Sequence, residues 1–485
     1  MLRFKKWIRT TAIAALLFTS MATPAAVAES RSISDESIYD VLVDRYFDAK
    51  SENDGDKTNP KNPAKFAGGD FQGIIDKLSD IKDMGFTIIS LGSVFATETY
   101  DGKSVTSYRK IEPNFGTKDE FKKLIRTVKK NDMSVMIDFP LNGVSEHHEW
   151  AQDPEKSSWI QSKKDGKVRW DLTNEEVRQA LIDAAVDFVS AYDIDGVRLT
   201  NIDGADTAFL NEMIESIKSV DEGIYVISDS ESDADFDAKF YDEVSDIFRY
   251  AFKNVDENTD DLMKYFESYA KGETDVPTQI MIDNLNTDRF LYTAEIYPPT
   301  RLKMVLGAAL LLPGVPVMQY GTEIAMNGKA GPEAHQLYNF KTDSELKDYI
   351  ADIQTLRNQS ETLRKGEFNL IQNKDGLIVF QRKSDKENWI VIINNTSERK
   401  KIEIPKELVG ENKEIRGTLE GEIFREGDDG IFRIIQNREV VEIYQVIDEQ
   451  GINVSYIIAL AFVYIIFIVF VVALLKRSKR RKPEA

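Results

Sequence analysis

Carboxylates are the reactive groups this sequence holds in number. Its 82 aspartates and glutamates stand against 3 histidines (His147, His148 and His335) and no cysteine. A thiol nucleophile, a disulfide scaffold and cysteine-ligated zinc or iron–sulfur centres are therefore excluded. Three histidines are few for a histidine-ligated metal or a histidine-based triad. His147 and His148 are adjacent, so their rings point apart on most backbones, and their expected role is loop packing or surface. What remains for acid–base and nucleophilic work is the carboxyl group.

Such groups need a rigid frame. Over roughly the first 330 residues, short β-rich runs alternate with amphipathic stretches. Strands are predicted at 38–43, 87–91, 134–138, 196–199, 225–227, 279–282 and 315–319, with an eighth inside 244–252; helices are predicted at 73–84, 118–130, 175–192 and 206–218. Alternation of this kind implies right-handed βαβ units and a parallel sheet. Eight units over about 325 residues fit a (β/α)8 TIM barrel with insertions. An open doubly wound sheet fits less well, because no Gly-x-Gly-x-x-Gly turn follows any strand. From about residue 361 to 446 no long helix intervenes. Runs at 368–371, 376–382, 389–394, 401–404 and 439–446 predict a small antiparallel β-sandwich.

The two ends carry their own signals. Arg3, Lys5, Lys6 and Arg9 precede an apolar stretch that ends in Ala26-Val27-Ala28, the pattern of a secretory signal peptide. Residues 454–475 carry no charge and are followed by Lys476, Arg477, Lys479, Arg480, Arg481 and Lys482. A run of that length spans about 33 Å as a helix, enough for a hydrocarbon core of about 30 Å, and the cations favour the cytoplasmic face. The organisation read from these signals is a signal peptide at 1–28, a barrel at 29–360 with an insert at about 139–172, a sandwich at 361–446, a linker at 447–453, a transmembrane helix at 454–475 and a basic cytoplasmic tail at 476–485. It predicts a cell-membrane protein with its bulk outside. The whole chain has a net charge of −20, and ten of its 62 basic residues lie in the two end segments. The bulk is thus more acidic still, and nucleic acid is not an expected partner.

Six segments in order resemble the α-amylase family of glycoside hydrolases: Ile38-Tyr39-Asp40-Val41-Leu42-Val43-Asp44-Arg45-Tyr46-Phe47, Gly68-Gly69-Asp70-Phe71-Gln72-Gly73-Ile74, Ile111-Glu112-Pro113-Asn114-Phe115-Gly116-Thr117, Asp138-Phe139-Pro140-Leu141-Asn142, Asp195-Gly196-Val197-Arg198-Leu199, and the stretch from Leu312 to Glu323. The resemblance spans roughly residues 38–446. It implies the barrel, the insert after the third strand and the C-terminal sandwich. It also implies retaining hydrolysis by two carboxyl groups about 5–5.5 Å apart, assisted by a third.

The chemical positions depart from that pattern. The family's nucleophile falls at Thr200, two residues after Arg198. Its general acid falls at Asp229, one methylene short, and its third carboxylate at Asn286, in Asn284-Leu285-Asn286. The sugar-touching lysine and histidine fall at Asp203 and Gly204, a third-strand histidine at Gly143, the stacking tyrosine at Lys103 and its neighbouring histidine at Asp101. Scaffold positions remain: Asp138, Asn142, Arg198, Asp283, Asn284, Gly314 and Pro316. Of these, Arg198, Asp138 and Asn284 are the candidates for touching a substrate. Loss of one central group in a hydrolase can cost about 10⁶ in turnover. The expectation is a pseudoenzyme that binds a polysaccharide or a membrane or cell-envelope protein; the alternative is an active α-glucan hydrolase with rearranged acids, for which Asp203, Glu231 and Asp233 lie near the right loops. Trp150, Trp159, Trp170 and Trp389 could offer stacking faces. Similarity to a structural calcium loop in some amylase relatives implies Ca²⁺ held by Asp48, Asn53, Asp54, Asp70 and the Gly68 carbonyl, with Lys50 where those relatives place an oxygen ligand.

Overall fold

The computed structural model describes residues 31–273, 276–294, 298–419, 421–449 and 454–479. The signal-peptide segment, most of the linker and the end of the basic tail lie outside them.

Seven short strands make one parallel sheet. They are β1 (Ile38–Asp40), β2 (Ile88–Ser90), then, past a hairpin of β3 (Phe95–Thr97) and β4 (Val105–Ile111), β5 (Ser134–Pro140). The insert follows as three antiparallel strands, β6 (Val144–Ser145), β7 (Ile160–Lys164) and β8 (Lys167–Trp170). The sheet resumes with β9 (Gly196–Thr200), β10 (Tyr225–Ser228), β11 (Gln279–Met281) and β12 (Val315–Gln319). Its order is β10-β9-β5-β2-β1-β12-β11. These strands are buried at almost every position, as a parallel sheet covered by helices must be. Val135, Ile137, Val197, Leu199 and Val226 are among the residues that fill the core.

The eighth strand is not inside 244–252. A helix, Asp242–Lys253, runs there, burying Val244, Phe248, Ala251 and Phe252. That spacing has the helical period, which decides over hydrophobicity alone. The gap between β10 and β11 is closed instead by two residues: Ala238 bridges Ile227 and Lys239 bridges Thr278, both parallel. Ser228 N–H donates to Ala238 O (3.1 Å) and Gln279 N–H to Lys239 O (2.9 Å). A strand this short leaves no alternating pattern to read.

The C-terminal domain pairs β13 (Glu367–Lys374), β14 (Leu377–Lys383), β15 (Asn388–Asn394), β17 (Lys413–Gly417), β18 (Ile423–Phe424) and β20 (Val440–Asp448) in one antiparallel sheet, against a second sheet of β16 (Lys400–Pro405) and β19 (Ile431–Gln436). Val379, Ile390, Ile392, Ile402, Ile404, Phe432 and Ile434 alternate inward to form a core of their own. The helix Val454–Lys479 contains the one segment among the described residues long and apolar enough to cross a membrane; over Leu460–Arg477 its mean hydropathy is 2.4 and none of it is buried.

Arg301, on the helix Pro298–Leu311, ties barrel to sandwich. It is buried and donates to the Asn395 amide oxygen and to the Glu439 carboxylate, the latter at 2.6 Å. Arg301→Ala strands both acceptors at that boundary. It should lower the unfolding free energy of the detergent-solubilised chain by about 3 kcal/mol, read as a shift of the urea midpoint at constant slope.

Candidate active site

Parallel register brings the C-terminal ends of the strands level. Asp40 closes β1 opposite Ser90 of β2 and Gln319 of β12, and Asp138 faces Arg198 across β5 and β9. The Arg198 guanidinium is forked between two carboxylates. Its Nε and Nη2 donate to Asp138 at 2.8 and 3.1 Å, and its Nη1 donates to Asp40 at 2.9 Å. Burial opposes the charge on Arg198, but Asp138 and Asp40 outweigh it and raise the pKa. Burial raises the Asp138 carboxyl, with Arg198 pulling the other way.

Thr200 ends β9. Among the described residues no carboxylate, imidazole or amine hydrogen-bonds its hydroxyl. The next residue, Asn201, donates its N–H to Asp229 at 3.0 Å and its amide to Asn142 O at 3.1 Å. Asp229 follows β10. Burial pushes its carboxyl up to about 6; the Asn201 N–H opposes this and the charge of Asp138 adds to it.

Beyond β11, Asp283 is spent on structure: it accepts from Phe290 N–H (2.6 Å), the Thr322 hydroxyl (2.9 Å) and Arg249 (3.2 Å). Asn284 accepts the N–H of Asn286 at 2.8 Å, turning the loop. Asn286 in turn accepts from the Lys103 ammonium at 2.7 Å, and the same ammonium donates to Leu285 O at 3.2 Å. Lys103 comes from the loop between β3 and β4, so one lysine links that loop to the end of β11. Lys167 of β8 holds the loop from the other side, donating to Lys103 O and to the Ser104 hydroxyl. Burial lowers the Lys103 pKa.

The remaining expectations are placed as follows. Asp203 offers its carbonyl to Arg169 at 2.8 Å. Among the described residues, neither Glu231 nor Asp233 hydrogen-bonds or ion-pairs with Asp138 or Arg198. The tryptophans supply no stacking platform: Trp150, Trp159, Trp170 and Trp389 are each 8% exposed or less. The first three pack with His148 and Tyr108 beneath the insert, where apolar surroundings repay burial better than a mouth open to water. His148 is fully buried among them, and burial lowers its pKa to about 3. His335 is also buried; its Nδ1 meets the Tyr100 hydroxyl at 2.8 Å, and the Arg45 guanidinium lies 3.8 Å over the Tyr100 ring.

The loop expected to hold calcium is organised by backbone. A Cβ on Gly69 would lie 2.1 Å from Val43 O, so only glycine allows that approach. Asp70 then caps the helix Phe71–Asp83, accepting Gly73 N–H at 2.6 Å, and takes Lys50 N–H at 2.8 Å and Ala49 N–H at 3.1 Å. Lys50 pairs with Glu120. Asn53 donates to Asn114 O, leaving its buried amide oxygen without a partner, while Asp48 and Asp54 crowd beside Gly68. Among the described residues no group of three or more Asp, Glu or His side chains is placed to hold a metal. Asp48, Asp54, the unpartnered Asn53 amide oxygen and the Gly68 carbonyl are the groups that would hold a calcium ion here, while Asp70 gives part of its acceptor capacity to three backbone N–H groups.

Residues 40–170 match the family described as alpha amylase, catalytic domain, and residues 366–444 the alpha-amylase C-terminal domain. A crystal structure of an Anoxybacillus α-amylase superposes with a TM-score of 0.82 at 34% identity, covering 87% of this chain and 100% of that one. The chain belongs to the α-amylase family. It is also 26% identical over 402 residues to a cyclomaltodextrinase of Geobacillus thermopakistaniensis, covering 75% of this chain and 68% of that protein. It is 26% identical over 409 residues to a β/α-amylase of Paenibacillus polymyxa, covering 75% of this chain but only 34% of that larger protein.

Of the three positions read from the sequence as chemical, Thr200, Asp229 and Asn286, Asp229 alone is titratable. Two features were missed from sequence: Asp40 as the second counter-ion of Arg198, and Lys103 as a bridge. Asp40 stood in view as the last polar residue of an apolar strand.

A carboxyl whose pKa is higher folded than unfolded binds its proton more tightly when folded. Its contribution to stability is full below about pH 4 and is lost as pH rises through about 6. Asp229→Asn removes that loss. The variant should be more stable than the parent by about 2–3 kcal/mol at pH 8, with the difference shrinking toward zero near pH 4, in urea titrations at both pH values.

Proposed function

We propose that this α-amylase-family chain is a pseudoenzyme held at a cell membrane by its C-terminal helix, its barrel outside, where the mouth binds a polysaccharide or a cell-envelope protein. The observation that carries this reading is the Lys103–Asn286 bond. Retaining hydrolysis develops positive charge on the sugar ring and needs carboxylates around it. Here the third carboxylate position is an amide already occupied by an ammonium. A like charge held within about 4 Å of an oxocarbenium ion costs on the order of 4 kcal/mol at an effective dielectric near 20, roughly a thousandfold in rate. The nucleophile position, Thr200, has neither charge nor base. The Arg198 fork leaves Asp138 and Asp40 as counter-ions rather than free nucleophiles.

One observation favours the alternative of rearranged acids: burial, with the charge of Asp138 adding, pushes the Asp229 carboxyl up to about 6, into the range of a general acid. Reducing-end release from maltoheptaose between about pH 5 and 8 separates the two readings. No turnover above the blank is expected, and none after Thr200→Asp, Asp229→Glu and Asn286→Asp are combined while Lys103 remains. Sustained turnover by the parent chain that Asp229→Asn abolishes would establish the alternative.

The tether is tested by fractionation. The chain should stay in the membrane pellet through an alkaline wash, and deletion of residues 454–485 should release it to the supernatant; a parent chain freed by the wash alone would remove the anchor from the proposal.

A further inference from the structure

A cluster of cations edges the barrel mouth in this acidic chain. Within Trp159–Trp170 lie Lys163, Lys164, Lys167 and Arg169 against a single acid, Asp165. They form the hairpin β7–β8. Val168 and Trp170 turn into the core, so Lys167 and Arg169 share the opposite face. Lys164 sits directly across from Lys167, on that same face. Like charges so placed destabilise a hairpin unless something neutralises them. Among the described residues none of the four makes an ion pair within 4.0 Å.

The bonds these groups make go to neutral oxygens. Lys167 donates to Lys103 O and Ser104 Oγ, and Arg169 Nη2 donates to Asp203 O at 2.8 Å. Lys103, the bridge across the mouth, donates to Asn286 and Leu285 O, with its nearest carboxylate, Asp101, 4.0 Å away. An ammonium carries three donors and a guanidinium five, so each cation keeps donors to spare. Burial lowers the pKa of Lys167, with Asp101 and Glu98 opposing and Lys103 adding to it. Lys103 and Lys167 are thus partly desolvated cations, with Lys103 repelling Lys167, and Arg169 stands exposed on the same face of the hairpin as Lys167.

We propose that the hairpin β7–β8 together with Lys103 forms a binding edge for a saccharide polymer that carries carboxylate or phosphate groups. Charge complementarity selects this class: a neutral glucan leaves the cations unanswered, whereas an anion set between Lys103, Lys167 and Arg169 takes charge-assisted hydrogen bonds from all of them. The inference rests on the reading that the mouth binds and does not cleave, and it adds the ligand class.

The test is titration calorimetry on the full chain in neutral detergent with three probes: an oligogalacturonate, a poly(glycerol phosphate) of similar length, and maltoheptaose. At least one anionic probe should bind and maltoheptaose should not, and the affinity should fall between about 20 and 300 mM salt. Lys167→Ala with Arg169→Ala should weaken that binding by about tenfold or more, whereas Lys163→Ala, on the other face of the hairpin, should leave it within about twofold. The oligogalacturonate and the phosphate polymer distinguish a uronate from a phosphodiester ligand. Equal binding of maltoheptaose, no binding of either anion, or binding indifferent to the double variant would overturn the proposal. Hydrolysis of maltoheptaose in parallel samples would instead overturn the pseudoenzyme reading, and leaves the two failures distinguishable.

Discussion

One buried cation sets the terms for this site. Arg198 stands on β9 and holds Asp138 of β5 and Asp40 of β1, so a single guanidinium crosses the interior of the barrel at its C-terminal end. Two carboxylates against one cation leave the cluster with net negative charge; the next acid along, Asp229, is pushed up to about 6 chiefly by burial, with the charge of Asp138 adding and Arg198 opposing. A further carboxylate at position 200 would join a guanidinium already shared. Desolvated charges are stable only when matched, and removing one partner of such a set costs several kcal/mol. The Arg198 fork therefore ties β1, β5 and β9 together at the C-terminal end of the sheet.

That constraint accounts for which family positions persist. Asp283 persists where it receives a helix-end N–H, a threonine hydroxyl and an arginine. Asn142 accepts the N–H of Trp170 at 2.7 Å and so anchors the insert. Gly314 enters β12 at a φ of +135°, and a Cβ there would lie 2.7 Å from Thr278 O. Each has a structural duty that a substitution would break. Asn286, by contrast, is held by Lys103 and Asn284, contacts made between loops beyond the strand ends.

The seven long-enough strands and the two-sheet C-terminal domain were legible because burial on one or both faces leaves a period in the sequence. The eighth strand was not, since two residues at 238–239 make no period and the apolar residues after them belong to a helix. At the site, the replaced positions could be read by alignment of motifs, residue by residue. Their consequences could not: that Lys103 reaches Asn286 depends on a loop between β3 and β4 meeting a turn some 180 residues later, a contact with no local signature. The tryptophans misled for a related reason, because residue type says nothing about which side of an insert a ring faces. The calcium loop shows the same limit from the other side. Its oxygen groups are all present in sequence, but that Asp70 also caps a helix and accepts the N–H groups of Ala49 and Lys50 is set by the fold.

The mouth also separates two electrostatic ranges that net charge alone confuses. A chain at −20 repels polyanions at a distance, yet at physiological ionic strength that field decays over about 8 Å. Inside that range the nearest charges decide, and at the edge formed by Lys103, Lys167 and Arg169 three cations gather, with Asp101, 4.0 Å from Lys103, the nearest carboxylate to that ammonium. The cost of assembling like charges on a small hairpin is borne in the free protein and relieved on binding, which is how a fold stores selectivity. The acidic remainder of the surface then serves that selectivity: it discourages a polyanion from settling anywhere but the one edge whose hydrogen-bond donors are left over.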